Sequence, residues 1–338
     1  MCGIFGIVCD SEKITSNNLL KKYLKDMFYL SSKRGKEASG LAIKYDNEIK
    51  ILKKGIPYNL FVQSADYNAY IQENLTNFKN KGNISIIGHT RLSTNGSGNF
   101  DFNNHPIITN DLVGIHNGII TDCKEANTSF LKDINKSDSE FLFNHIENLS
   151  KKYNRDYVRS IEQAYEHLSG SASIAFFIRD KPYLCLASNT GSLYLYKNSS
   201  LKTFIFFSEK QALENFLKKH SFPVNNQSIS QISSVKPTII NLNNAELESV
   251  LKNGEHRQKS RKTQYKGLVT VFNNERKLVR CKKCILPHTY PFIKFDEDGV
   301  CNYCKNFKNE KLLGQTRFES ILNKYRKSKK FPLNISRD

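Results

Sequence analysis

Met1-Cys2-Gly3-Ile4-Phe5-Gly6-Ile7-Val8 opens the chain and decides how the rest is read. The apolar run is a strand by composition, and Gly3 and Gly6 admit close backbone neighbours. The chemistry sits at Cys2. Methionine aminopeptidase removes an initiator Met when the next side chain is small, which leaves a cysteine bearing both a thiol and a free α-amine. An α-amine titrates at about 7.7–8.0 and a thiol near about 8.5, so the amine is placed to take the thiol's proton. Taken alone, Met-Cys-Gly more often marks a buried cysteine at a strand end.

Three further segments change that reading. His89-Thr90-Arg91-Leu92-Ser93-Thr94-Asn95-Gly96 sets one Arg at a strand end before a Ser/Thr/Gly turn, and His116-Asn117-Gly118 closes another strand. Asp138 lies in Ser137-Asp138-Ser139-Glu140. By itself Asn117-Gly118 is the commonest signal for a plain hairpin turn, and a lone Arg or Asp is a surface ion-pair partner. In order and spacing the segments together resemble the class II glutamine amidotransferases, the amino-terminal-nucleophile glutaminases. The resemblance runs over about residues 1–245 and includes Lys33-Arg34-Gly35 before Ser39-Gly40, and Asn104-His105-Pro106.

That resemblance implies an α+β fold, a four-layer αββα amino-terminal-nucleophile hydrolase sandwich, with a glutaminase domain over residues 1–247. It makes Cys2 the nucleophile, and it assigns the Asn117 side-chain amide and the Gly118 backbone N–H to the oxyanion. The remaining roles make physical sense for free L-glutamine, which presents a carboxylate and an ammonium. Arg91 offers a planar fork of donors to the first, and Asp138 an acceptor to the second. Thr94 and Asn95 complete the pocket in this reading, although some members of the family carry His where Asn95 stands. His89 and His105 read as hydrogen-bonded structural histidines, and Cys9, Cys123 and Cys185 as packing residues.

Hydrophobic spacing supports an antiparallel core with helices on its faces. Leu19, Leu20, Tyr23, Leu24, Met27 and Phe28 recur at helical spacing, and residues 139–149 follow a Ser/Asp cap. Residues 83–88, 111–116, 171–178, 183–187, 193–196, 203–208 and 237–242 read as strands, the last of them the final one before the linker, and residues 212–219 as a helix.

The tail differs. From position 252 on, 22 Lys+Arg stand against 8 Asp+Glu, so most of the chain's net +19 lies in its last quarter. Residues 248–280 read as a basic linker, with one strand at 268–272. Then Cys281-Lys282-Lys283-Cys284 and Cys301-Asn302-Tyr303-Cys304 form a CxxC…CxxC pattern at the spacing of structural zinc sites. We expect Cys281, Cys284, Cys301 and Cys304 to bind one Zn²⁺ within residues 281–305, a small zinc ribbon, with a disulfide pair or an iron–sulfur cluster as the alternatives. Residues 306–338 read as a basic helix. The stretch Arg280-Cys281-Lys282-Lys283-Cys284-Ile285-Leu286-Pro287, continued by Pro291 to Cys304 with its Asp296-Glu297-Asp298-Gly299 turn, is similar to the opening of the N-acetyl sugar amidotransferases. Those ATP-dependent enzymes act in bacterial surface-polysaccharide synthesis, and a Ser-Gly-Gly-x-Asp-Ser pyrophosphatase loop follows in them. No such loop occurs here, so the resemblance implies that ATP binds on a missing domain or a partner synthetase subunit.

Several classes are excluded by composition. No run approaches the ~18 apolar residues that span a bilayer, and the start lacks a secretory layout. No Gly-rich phosphate loop occurs. Eight cysteines without a secretory start read as thiols and ligands, which fits the cytoplasm. A zinc-ribbon nucleic-acid-binding protein with a degenerate amidohydrolase domain is the alternative, carried by the basic tail. Against it, the Cys2 constellation would be idle.

Overall fold

In the computed structural model the described residues are 2–10, 17–45, 48–76, 82–92, 103–124, 137–225, 227–233, 236–248, 279–287, 290, 292–307 and 314–326. The elements run β1 (Gly3–Asp10), α1 (Asn17–Ser31), β2 (Ala38–Tyr45), β3 (Glu48–Lys54), α2 (Tyr58–Phe61), α3 (Ala65–Thr76) and β4 (Asn83–Arg91). Then come β5 (Ile107–Ile108), β6 (Leu112–Cys123), α4 (Asp138–Lys152), α5 (Tyr157–His167), β7 (Leu168–Ile178), β8 (Tyr183–Ser188), β9 (Tyr194–Asn198) and β10 (Thr203–Phe207). The series ends with α6 (Lys210–Lys219), β11 (Ile229–Gln231), β12 (Thr238–Asn241), β13 (Glu246–Glu248), α7 (Asn302–Asn306) and α8 (Gly314–Arg326).

The strands form two antiparallel sheets, ordered β11-β9-β10-β1-β4-β2-β3 and β13-β12-β8-β7-β6-β5, so the fold is α+β. Alternation along each strand sends side chains to two apolar layers. On β1, Phe5, Ile7 and Cys9 pack with Leu24, Phe28 and Phe216 of α1 and α6, while Ile4 and Val8 pack with Val113, Ala175 and Phe177 of the other sheet. On β7, Ala172, Ile174 and Phe176 turn instead to Leu142, Phe143 and Ile161 of α4 and α5. The apolar layers therefore stack as helix on sheet, sheet on sheet, and sheet on helix.

Three lysines run against the simple pattern. Lys44, Lys53 and Lys54 of β2 and β3 are all buried. Lys44 Nζ donates to the carbonyls of Ile178 and Lys181, the second at 2.7 Å, tying the first sheet to the β7–β8 turn. Its long apolar stem crosses the core while its head finds acceptors at the edge.

The strand expected over 111–116, closed by Asn117-Gly118, is longer than expected. β6 continues straight through the pair to Cys123, with one register shift between Ile120 and Asp122, because β7 supplies a full partner strand. Several elements were not expected, among them β2, β3, α2 and α3, then α5, capped by the Asp156 carboxylate accepting from Arg159 N–H at 3.1 Å, and the short β13 beyond β12. The strand expected at 268–272 lies outside the described residues, as does most of the expected linker.

The chain divides into two compact units, residues 1–278 with 289–292, and residues 279–288 with 293–338. The second has a core of Cys281, Ile293 and Cys301. Bridges join Arg280 to Pro287 and Phe295 to Cys301. The basic helix expected in the tail is α8, which is exposed along most of its length.

Candidate active site

Pairing of β1 with β4 brings distant parts of the sequence together. Gly3 lies opposite Thr90 and Ile4 opposite His89, so Cys2 stands beside Arg91 and Leu92. Its thiol donates to the Leu92 carbonyl at 3.3 Å and its sulfur accepts from Leu92 N–H at 3.4 Å. Cys2 continues the face of Ile4 and Val8, Arg91 that of Ile87, and Asn117 that of Val113 and Ile115. Three alternations thus converge between the sheets, at the edge where the apolar layer ends.

Cys2, Arg91, Leu92, His116, Gly118 and Asp138 line one small pocket. Asp138 is the first residue of α4, next to the Ser137 cap, and its Oδ2 accepts from Ile120 N–H at 3.0 Å. The first turn of a helix is a favourable place for a negative charge. Gly118 is required by contact: a Cβ at this position would stand 1.9 Å from the Ser171 carbonyl oxygen. Asn117 is buried beside it, its side-chain oxygen without a hydrogen-bond partner among the described residues. It is not among the residues lining the pocket. Thr94 and Asn95 lie outside the described residues.

A cation and an anion are thus held, both nearly fully buried, around one thiol. Burial raises the Cys2 thiol above its ordinary value, opposed by the Leu92 hydrogen bond, by the Arg91 charge and by the chain's terminal ammonium. A thiol so raised stays protonated at neutral pH, so attack needs a base within reach. The histidines are poor candidates. Burial pulls His89 down to about 3 and holds His105 well below the usual imidazole range. His89 makes the structural hydrogen-bond contact expected of it, Nε2 to the His116 carbonyl at 3.1 Å. His105 does not: it stacks on His89 with centroids 4.0 Å apart, and neither ring nitrogen has a hydrogen-bond partner among the described residues.

Two residues that the sequence offered only as parts of longer segments have supporting roles that it did not disclose. Asn104 Oδ1 accepts from Arg91 Nη1 at 2.7 Å, and Ser139 Oγ lies 2.8 Å from His116 Nδ1. Both are short polar residues whose contacts come from distant chain, and local pattern carries no sign of that. Cys9, Cys123 and Cys185 are buried as expected, and Cys123 Sγ also lies 3.9 Å from His145 Nε2. A larger cavity of about 480 Å³ between α5 and the end of β8 is lined by Ile161, Tyr165, Ala187, Asn189, Ser233 and Lys236 and contains no cysteine.

In the second unit Cys281, Cys284, Cys301 and Cys304 offer sulfurs that all lie within 4.8 Å of one another. Cys284 and Cys301 are 3.5 Å apart and Cys281 and Cys304 3.9 Å. Sulfurs about 2.3 Å from a tetrahedral Zn²⁺ would be spaced about 3.8 Å apart. Lys283 N–H and Cys301 N–H donate to Cys281 Sγ at 3.4 and 3.3 Å, and Cys304 N–H to Cys301 Sγ at 3.4 Å. Desolvation would raise the Cys281 thiol, but backbone N–H groups of Cys284, Cys301 and Lys283 outweigh it and bring it down to about 6. Backbone donors thus favour a thiolate at Cys281, while the crowded neighbouring sulfurs push Cys304 up to about 12.

Comparison with known proteins bears on the first unit. Residues 89–215 match the family model described as a glutamine amidotransferase domain. The chain carries a class II glutamine amidotransferase domain. The curated relatives of this domain include the glutamine–fructose-6-phosphate aminotransferase (isomerizing) of Buchnera aphidicola, 28% identical over 249 residues, which covers 72% of this chain and 37% of that protein. That of Clostridium perfringens is 31% identical over 186 residues, covering 54% of this chain and 27% of that protein. The chain thus spans about a third of the length of the curated relatives it matches. Among solved structures, the glutamine phosphoribosylpyrophosphate amidotransferase from B. subtilis matches with a TM-score of 0.45 and 19% identity, over 71% of this chain and 47% of that one. The family match begins at His89, so it takes in Arg91, Asn117, Gly118 and Asp138, while Cys2 joins them through β1.

Proposed function

We propose that the amidotransferase domain hydrolyses L-glutamine to glutamate and ammonia and supplies the ammonia to an ATP-activated acceptor, an N-acetyl sugar of surface-polysaccharide synthesis. The observation that carries the glutaminase half is the convergence of Cys2, Arg91, Gly118 and Asp138 on one pocket. In this reading the domain is the amino-terminal-nucleophile sandwich, occupying residues 1–247. Residues 248–280 are a basic linker, and residues 281–305 a zinc unit. Residues 306–338, which include α8, lead to an ATP-pyrophosphatase-type synthetase domain or subunit, in the cytoplasm.

With Met1 removed, the α-amine of Cys2 takes the thiol proton and sulfur attacks the glutamine side-chain carbonyl. The oxyanion accepts hydrogen bonds from Gly118 N–H and the Asn117 amide, each donor worth roughly 3–4 kcal/mol in comparable sites. The protonated amine then gives its proton to the departing ammonia, and water releases glutamate from the thioester. Arg91 and Asp138 hold the α-carboxylate and α-ammonium, so an amide lacking either group is a poor substrate.

Arg91→Lys is expected to raise KM for glutamine by about 10–100-fold, since a point charge does not reproduce the bidentate fork. Asp138→Asn acts in the same direction through the lost counter-charge. Steady-state assay of glutamate release checks both; unchanged KM in the two variants would remove glutamine as the substrate.

The four thiolates fit Zn²⁺, which would be held by Cys281, Cys284, Cys301 and Cys304 and would supply folding energy rather than chemistry. Purified protein should contain about one zinc per chain, lost in Cys284→Ser. That variant should keep its glutaminase activity and lose ammonia transfer, because the zinc unit docks the synthetase half. Metal analysis and the two activity assays decide this: zinc-free protein refutes the site, and transfer surviving zinc loss refutes the docking role.

A further inference from the structure

We propose that Lys53 is a positioning residue for Arg91, acting through Asn104, and that this relay sets the pocket's affinity for the substrate α-carboxylate. The proposal rests on the glutaminase reading above. Lys53 is on β3 and only 4% exposed. A lysine is seldom buried so deeply unless its ammonium is fully engaged, because desolvation of the charge is costly. Here Nζ donates to the carbonyl of Asn104 at 2.8 Å and to that of Pro106 at 3.0 Å. One cation therefore grips the backbone on both sides of His105.

The gripped segment is laid tightly on the sheet. A Cβ on Gly40, across from Lys53 on the neighbouring strand, would stand 2.1 Å from the His105 carbonyl oxygen. Asn103 and Asn104 are completely buried. With the Asn104 backbone fixed, its side-chain oxygen accepts from Arg91 Nη1 at 2.7 Å, which leaves the guanidinium little freedom to rotate. A planar donor fork recognises a carboxylate only when its plane is set.

The choice of an amide at position 104 matters as much as the lysine. Asn104 orients the guanidinium without neutralising it, so the cation's charge stays available to an incoming carboxylate. An aspartate in that place would hold the same geometry but would compete with the substrate for the same charge. Lys53 places the backbone, and Asn104 turns the Arg. Neither touches the reacting atoms.

The test compares L-glutamine with glutamine amidated at its α-carboxyl, which makes no demand on the charge of Arg91. In Asn104→Asp, KM for glutamine should rise about tenfold, while kcat stays within about threefold and kcat/KM for the amidated compound changes less than about twofold. Lys53→Met should shift the same ratio in the same direction, and Lys53→Arg should restore part of it. Loss that is equal for both substrates, or a lowered melting temperature with KM unchanged, would make Lys53 merely structural and overturn the proposal. Should Lys53→Met not fold, Asn104→Asp decides, because it keeps both carbonyls of the grip; unchanged KM for glutamine then overturns the relay. Wild-type protein that fails to release glutamate from glutamine would refute the glutaminase reading itself, which separates the two failures.

Discussion

Cys2→Ala is expected to bring glutamine hydrolysis to background, a loss of at least about 10³-fold, because no other group forms the acyl intermediate. The fold should survive. Cys2 precedes β1, and its sulfur exchanges hydrogen bonds with the Leu92 backbone, so truncation removes one small side chain at the edge of the apolar layer. A cost of about 1 kcal/mol would shift the melting temperature of a domain this size by roughly 2–4 °C. Cys2→Ser should be crippled too: an alcohol is far less acidic than a thiol, and the same amine cannot activate it to the same extent. Glutamate release and a thermal melt on the same preparation separate chemistry from folding. Full activity in Cys2→Ala would rule out Cys2 as the nucleophile.

The second large effect belongs to Gly118→Ala. The added methyl would sit 1.9 Å from the Ser171 carbonyl oxygen, which is backbone of the paired strand β7 and has no side-chain freedom with which to yield. The β6–β7 ladder must part locally, moving the Gly118 N–H that is assigned to the oxyanion. We expect kcat to fall by about 10²–10³-fold and stability to drop by about 2–3 kcal/mol, as for other overpacked sites. Asn117→Ala should lower kcat by a similar factor with little change in melting temperature, since it removes a donor without adding volume. Equal melts for Gly118→Ala and wild type would contradict the packing argument.

These residues also mark what a sequence discloses. β1, α1, β4 and α4 were legible because apolar periodicity, a Ser cap and strand-end polar residues all agree locally. Arg91 and Asp138 stood out only because their order and spacing resemble those of the class II glutamine amidotransferases; either charge alone reads as a surface ion-pair partner. β2 and β3 were not: Lys44, Lys53 and Lys54 read as solvent-facing, and only the folded chain shows the stems of Lys44 and Lys53 crossing the core to carbonyls on distant segments. For the same reason Asn104 stayed silent, since its importance lies in a contact with Arg91 that is not local. The run of β6 past His116 was hidden in a different way. Asn117-Gly118 is a turn signal, and tertiary pairing with β7 overrides it, using the missing Cβ of Gly118 for close approach rather than for a turn.

Everything proposed for the pocket depends on processed Cys2 attacking the side-chain carbonyl of glutamine. Intact-mass analysis and peptide mapping, after exposure to a glutamine analogue in which a reactive diazoketone replaces the side-chain amide, would read that attack directly. One adduct per chain is expected, on Cys2, in a peptide that begins at Cys2 without Met1, and excess L-glutamine should suppress it. An adduct on another residue, or Met1 retained on protein that releases glutamate, would contradict the mechanism.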